Sequence, residues 1–445
     1  MSDSHPLDTL VPATVSSPAC NHEGLISLDE ALASYSTVVP LPVISLPLIK
    51  AHQHILAEDV LSPVELPLFT QSAVDGYAIQ STDSQLADAT LRLAGEIRAG
   101  IEQQLVLEPG QAIRIFTGGK IPAGADAVAR QEIVRRGQDT VQLMQRVSAG
   151  TDIRYQGEEL AKGTKLANQG QYLNSGVIAA LSMAGMQQVK VHRQSKIAVL
   201  ITGDEVKNSK TGSQFSGSPD INETAFPNGQ LDHDAQVFDA NGPLIASWLK
   251  QQGYHSFELK YVSDDQSELQ QALHQALNHF DLVVTTGGVS VGDYDLIRPV
   301  SMQLGAHQIF WQVAQKPGKP LYFASFQNLQ SGHQSYLLGL PGNPAAVVIG
   351  LQLHLQTLLF YLQGKDKPQP QWHTGLFNGH LKPDSRERLL RMQMNIDNLG
   401  QVVLSPLPKQ QSHMLSNLAN ANVLVRIPAN QHFEKQTFLS FIAIN

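Results

Sequence analysis

Continuous apolar runs of strand length alternate with amphipathic runs of helical period along the second half of this chain. KIAVLITGDEV, from Lys196, reads as a strand that stops at Gly203. NGPLIASWLKQQG reads as a helix with Asn241 at its N-cap. SFELKYV is a strand, SELQQALHQALNHF carries its apolar residues at the 3.6 period, and DLVVTT is a strand again. Strands apolar on both faces and separated by helices predict right-handed crossovers and a doubly wound parallel sheet. The first half has a different texture. Residues 26 to 60 read as helix, turn and strand, with LDEAL opening the helix under an acidic first turn. From 91 to 148, short alternating runs sit between Gly and Pro turns, which predicts a compact β-rich domain. NSGVIAALSMAG reads as a helix leading back to the first segment. After Pro368 and Pro370 the chain returns to short strands and a terminal β domain.

Two of the apolar runs end in glycine-rich turns, DLVVTTGGVSVGDYD at 281 to 295 and LLGLPGNPAAVVI at 337 to 349. Parallel sheets bind ligands at the carboxyl ends of their strands, where loop amides and helix N-termini point outward. Gly287, Gly288 and Gly342 let the backbone approach an anion, Ser290 adds a hydroxyl, and Asp293 and Asp295 add carboxylates. Amide donors beside acidic oxygens suit a phosphorylated ligand carrying a hard cation such as Mg²⁺. A third strand end, Gly203-Asp204-Glu205, is expected to converge with these two. Pro344 fits the first turn of the helix after the GNP turn. KPGKP, 316 to 320, places Lys316 and Lys319 on a proline-stiffened segment that can meet an anion.

Composition narrows the partners. At 445 residues the chain exceeds one core and is expected to hold about three or four domains. A net charge of −8 argues against a nucleic-acid or anionic-membrane surface, because both need a basic face. Cys20 is the only cysteine, which excludes an internal disulfide and a thiolate metal cluster. The sixteen histidines show no HExxH and no ligand-like cluster, so they read as structural. Residues 1–23 have no Lys or Arg and read as a disordered tail rather than a signal peptide. The apolar stretch 344 to 362 contains Gln352, His354 and Gln356 and reads as a buried helix rather than a membrane span. Residues 207 to 234, rich in Ser, Gly, Asp and Asn, read as a long loop beside the site. A soluble, cytoplasmic protein is expected.

Taken in order, SAVDGYA at 72, RIFTGGKIPAGADAVARQE at 114, RYQGEE at 154, TGDEV at 202, VFDANG at 237, DLVVTTGGVSVGDYD at 281, KPGKP at 316 and GLPGNP at 339 carry a resemblance. The chain resembles the MoeA-type molybdopterin molybdenumtransferases, the family that includes the gephyrin E domain, from about residue 26 to the C-terminus. The resemblance implies a multidomain α/β and β protein. An elongated linker domain comes from two pieces, 24–61 and 164–194, around an inserted β-rich domain at 62–163. A central doubly wound molybdopterin-binding α/β sheet domain follows at 195–366, then a C-terminal β-barrel domain at 367–445. It implies a homodimer in which the SAVDGYA domain of one subunit covers the sheet-domain site of the other.

The implied activity is a molybdenum insertase that takes adenylylated molybdopterin and molybdate, cleaves the phosphoanhydride, releases AMP and leaves molybdenum on the dithiolene. Transient contact with the adenylyltransferase and with recipient apoenzymes goes with that role. By similarity, Asp75, Thr117, Arg154, Glu205, Asp239 and Asp295 are catalytic, with Glu205, Asp239 and Asp295 holding Mg²⁺. Gly287, Gly288, Ser290, Gly342, Asn343 and Pro344 would bind the pterin and its phosphate. Lys316, Lys319, Arg391 and Ser412 would meet molybdate, a tetrahedral dianion suited to cationic and hydroxyl donors. Gln312 and Ala346 depart from the family pattern, standing where a basic residue and a serine are frequent, which takes one charge and one hydroxyl from the expected oxyanion pocket. The rival readings are a molybdopterin-binding scaffold or carrier with weak turnover, and the molybdopterin adenylyltransferase built on the same sheet.

Overall fold

The computed structural model describes residues 25–86, 88–101, 104–206, 236–290, 292 and 295–444. The expected N-terminal tail, the whole of the 207 to 234 loop, and Asp293 lie outside them. The chain divides into two compact units. The first comprises Met1–Leu41, Gln194–Leu362 and Lys367–Asn445; the second comprises Pro42–Arg193 and Gln363–Asp366.

The first unit is built on a six-stranded sheet. Its order is Phe257–Val262, Ile197–Thr202, Leu282–Thr286, Gln334–Leu340, Tyr322–Gln327, His307–Trp311. The first four strands run parallel, as their two-sided apolar pattern requires. Tyr322–Gln327 departs from the all-parallel expectation: it follows His307–Trp311 too closely for a helical crossover and pairs antiparallel on both sides. The chain steps from Ile197–Thr202 outward to Phe257–Val262, then returns to the other side of the first strand. The topological switch point therefore lies at the ends of the 197–202 and 282–286 strands, where α/β sheets open a ligand crevice.

Both faces of the sheet are packed. One carries Leu269, Leu273, Ala276 and Leu277 of the Gln266–His279 helix, capped by the Asp265 side chain on the Ser267 and Glu268 amides. The other carries Ile245, Trp248 and Leu249, the long 344–362 helix, and Leu28, Leu32 and Tyr35 from the Leu28–Ser34 region. That first helix starts at a capping box in which Ser27 and Glu30 satisfy each other's amides. Most of the 344–362 helix is buried, so its apolar surface is spent on the core, as its polar residues predict.

The C-terminal part of this unit is a closed five-stranded barrel. Glu387–Ile396, Val402–Pro406, His373–Phe377, Thr437–Ala443 and Val423–Ile427 pair in that order, and the last returns to the first. Closure removes the unpaired edges of so small a sheet.

The second unit holds the β-rich segment. Its six strands run Ala127–Arg130, Gly76–Ile79, Gln111–Ile115, Thr90–Ile97, Thr140–Leu143, Val134–Arg136. Val43–Pro47 pairs antiparallel with Gln188–His192, which joins two pieces far apart in sequence. The Ser175–Met183 helix leads into that pairing and is capped by Asn174 on the Val177 amide.

Candidate functional site

A cavity of about 560 Å³ opens in the first unit where the two glycine turns meet the barrel. Gly288, Val289, Ser290 and Asp295 come from the loop after Leu282–Thr286, and Gly342 and Asn343 from the loop after Gln334–Leu340. Lys316 and Lys319 form a third side. Asp384, Arg386, Arg388 and the 410–412 segment come from the barrel.

Short backbone bonds hold these loops in place. The Gly287 amide donates to the Leu340 carbonyl at 3.1 Å, and the Ile297 amide to the Gly288 carbonyl at 3.0 Å. Trp311 donates its indole N–H to the Val289 carbonyl at 2.9 Å, with the Arg298 guanidinium stacked on its ring. Asn241 donates to the Gly342 carbonyl at 2.8 Å. Asn241 is thus the first residue of its helix rather than the expected N-cap. Asp239 caps instead, accepting the Asn241 and Gly242 amides. Pro344 does open its helix.

The sequence-predicted residues do not all share one place. Gly288, Ser290, Asp295, Lys316, Lys319, Gly342, Asn343 and Ser412 line the cavity together. Gly287 and Pro344 sit behind the lining loops as supports. Arg391 is only 2 % exposed and does not face the cavity. Its guanidinium donates to the Lys409 carbonyl at 3.0 Å, and its backbone pairs with the Gln410 side chain, so it anchors the 409–411 segment that carries Ser412 inward. Ala346 lines the wall, whereas Gln312 does not, so only the missing hydroxyl bears on the cavity. Asp75, Thr117 and Arg154 belong to the second unit. There Asp75 accepts the Thr117 amide at 2.8 Å and its hydroxyl at 2.7 Å, which holds the Asp75 carboxyl below its usual range. Arg154 is exposed in the two-residue strand paired with Gln71–Ser72.

Two acidic residues at the site carry no motif that marks them in advance. Asp264 follows the Phe257–Val262 strand and exchanges backbone-to-carboxylate bonds with Asp204. Burial first, then the charges of Asp204, Glu205 and Asp295, push its carboxyl above the usual range. Carboxylates that repel one another at a switch point fit a hard divalent cation, which would supply the missing positive charge. Glu205 and Asp295 belong to that group. Asp239 has both oxygens engaged already, by two amides and the Tyr261 hydroxyl at 2.7 Å, and so contributes chiefly as a helix cap.

A carboxyl raised in this way favours folding fully below the ordinary carboxylate pKa, and that contribution is lost as pH rises through its folded value. At neutral pH Asp264→Asn is expected to raise the metal-free Tm and to shrink the further rise on adding Mg²⁺. Differential scanning calorimetry with and without Mg²⁺ reads both changes; a variant that melts lower without metal contradicts the assignment.

Asp384 is the second unforeseen residue. Its carboxylate pairs with Lys316 at 2.7 Å and accepts the Arg386 amide at 3.1 Å. The Lys316 bond, then the amide, hold its carboxyl below the usual range. The pair partly neutralises one of the two lysines at the cavity. Asp384→Asn should therefore tighten oxyanion binding by up to about tenfold, the scale of one exposed charge pair with its hydrogen bond. Titration calorimetry with molybdate tests it, and weaker binding would contradict it.

Folding also assembles a histidine pair that spacing concealed. The Leu381–Phe433 bridge brings His380, His432 and Glu434 onto one exposed face of the barrel, where they could hold a metal ion. None of the three lines the cavity.

Three family models cover most of the chain: the MoeA N-terminal region (domain I and II) over residues 26–185, a probable molybdopterin binding domain over 198–360, and the MoeA C-terminal region (domain IV) over 378–435. The molybdopterin molybdenumtransferase of Staphylococcus epidermidis is 32% identical over 380 residues, covering 84% of each chain. That of Haemophilus influenzae is 31% identical over 406 residues, 90% of this chain and 94% of the relative. Among solved structures, a molybdopterin biosynthesis MoeA protein from Pyrococcus horikoshii superposes with a TM-score of 0.73 at 25% identity, over 94% of this chain and 98% of that one. With its sheet loops, KPGKP segment and barrel arranged as described, the chain belongs to the MoeA family of molybdopterin molybdenumtransferases.

Proposed function

We propose that this protein is a transferase of molybdenum cofactor biosynthesis that takes adenylylated molybdopterin, uses molybdate, and releases AMP as molybdenum passes to the dithiolene. The observation that carries this reading is one cavity holding two glycine turns, two lysines, two serines and two aspartates. Cleaving a phosphoanhydride requires neutralised phosphate charge and a placed oxygen nucleophile. Loop amides near Gly288 and Gly342 suit the pterin phosphate. Lys316, Lys319 and Ser412 suit a tetrahedral dianion. Mg²⁺, when bound, supplies charge neutralisation on the phosphates, and Glu205 and Asp295 would hold it with Asp264 beside them. Asp239 orients the Asn241–Gln251 helix start next to this set. Asp75, Thr117 and Arg154 are proposed to complete the catalytic set in a homodimer.

A cytoplasmic setting and transient contacts with the adenylyltransferase and with recipient apoenzymes go with the same role. Crystals grown with molybdate and measured at the molybdenum absorption edge test the site assignment. An anomalous peak beside Lys316, Lys319 and Ser412 is expected, and a peak confined to another surface would refute it.

A further inference from the structure

Behind the KPGKP loop runs a chain of buried polar side chains in an otherwise apolar core. Gln315 is 0 % exposed, and its Nε2 donates to the Gly318 carbonyl at 3.1 Å across the loop. Its Oε1 lies 3.2 Å from His354 Nε2. His354 Nδ1 lies 3.0 Å from the Tyr35 hydroxyl. Tyr35 and His354 are fully buried, the former edge-on to Phe310 and Phe323.

His354 reaches this position from a π-helical turn, Gly350–Leu355, inside the 344–362 helix. Such a turn adds a residue to the winding and rotates the side chains that follow, and it recurs at functional sites. Gly350 opens this turn and packs closely on the sheet: a Cβ there would lie 2.6 Å from Leu340 Cδ2. Three buried polar groups stabilise a core only if every one is paired, so this arrangement is costly to keep without a use.

Proton positions follow from the end of the chain. The Gly318 carbonyl can only accept, so the Gln315 amide must turn its N–H there and its oxygen toward His354. That oxygen can only accept, so the His354 proton must sit on Nε2. Nδ1 is then a lone pair, and the Tyr35 hydroxyl must donate to it. A single proton arrangement satisfies all three contacts. Burial pulls His354 down to about 3, which keeps the ring neutral as that arrangement requires.

The far end of the chain is mechanically tight. Gly318 has φ +94°, and a Cβ there would lie 2.9 Å from Gln315 Nε2 and 3.6 Å from Ala346 Cβ. The loop backbone thus rests directly on the Gln315 amide, between the two lysines that face the cavity.

We propose that Tyr35, His354 and Gln315 are positioning residues that fix the 316–319 loop for oxyanion binding, through His354 held as the Nε2–H tautomer. The inference rests on the reading of Lys316 and Lys319 as the molybdate contacts.

The test uses the full-length protein and two independent readouts. Ring ¹⁵N spectra of histidine-labelled protein, assigned with His354→Gln, report the tautomer without any turnover. Kinetics of AMP release report the loop. Gln315→Met keeps the shape but removes both polar ends, and is expected to raise KM for molybdate about tenfold, roughly one lost hydrogen bond, with kcat within about twofold. Tyr35→Phe should raise KM by about threefold or less. An Nδ1–H tautomer in the wild type would overturn the proposal. So would Gln315→Met with a lowered Tm and an unchanged KM, which is the signature of packing alone. If wild-type AMP release ignores molybdate, the oxyanion reading of the loop fails, and the spectra still decide the tautomer.

Discussion

Asp295→Asn is expected to slow AMP release by about 100-fold or more while the protein stays folded, the scale of removing one preorganised charge from a phosphoryl-transfer site. The choice of asparagine matters. Asp295 Oδ2 accepts the Gly292 amide at 2.6 Å, and its own amide donates to the Gly292 carbonyl at 3.0 Å, so the side chain also shapes the cavity-lining turn. An asparagine oxygen can keep that acceptor role. What it removes is the negative charge shared with Glu205 and Asp264, and with it part of the attraction for the proposed Mg²⁺. Asp295→Ala would confound the two effects. Single-turnover kinetics at saturating Mg²⁺, beside a melting curve, separate them. An asparagine variant that turns over at the wild-type rate would remove Asp295 from the catalytic set.

Gly287→Ala is expected to cost about 2–4 kcal/mol and to abolish tight substrate binding. The residue sits at φ +86°, where a side chain costs about 1 kcal/mol or more. Its Cβ would also lie 2.6 Å from Thr202 Oγ1 and 3.1 Å from the Thr202 carbonyl. Thr202 cannot yield easily, because it is buried and its hydroxyl donates to the Thr286 carbonyl at 3.0 Å. The turn at the switch point would have to move, carrying Gly288 and Ser290 with it. Gly342→Ala is the control. A Cβ there meets nothing closer than Gly287 Cα at 3.6 Å, an ordinary contact, so its stability should change little. Denaturant unfolding of both variants tests the contrast; equal losses would show that the Thr202 contact is not the cause.

The fold was largely legible because its strands are of the buried parallel kind. IAVLIT and LVVTT have no polar face to misplace, and their glycine stops mark the ligand edge. The antiparallel Tyr322–Gln327 strand was not, since a strand's direction depends on its connection more than on its composition. The helix start was not either: Asp239 and Asn241 are both good capping residues, and only the backbone shows that the helix begins at Asn241 and that the Asp239 side chain takes its first amides.

At the site, loop motifs were readable because glycine, lysine and proline act through the backbone they sit on. Asp384, Arg386 and Arg388 were not, because the start of the first barrel strand and the loop before it reach the cavity from far along the chain and carry no glycine signature. Arg391 shows the converse: an arginine placed by resemblance beside the anion is held by carbonyls beneath the loop. The polar chain through His354 needed a π turn that no periodicity reveals.

The proposed function stands or falls on whether this cavity couples molybdate to cleavage of adenylylated molybdopterin. The direct measurement is AMP release by the purified protein, anaerobically with Mg²⁺, with and without molybdate. Release that requires molybdate is the predicted result. Tight binding of adenylylated molybdopterin with no release in either condition would contradict it.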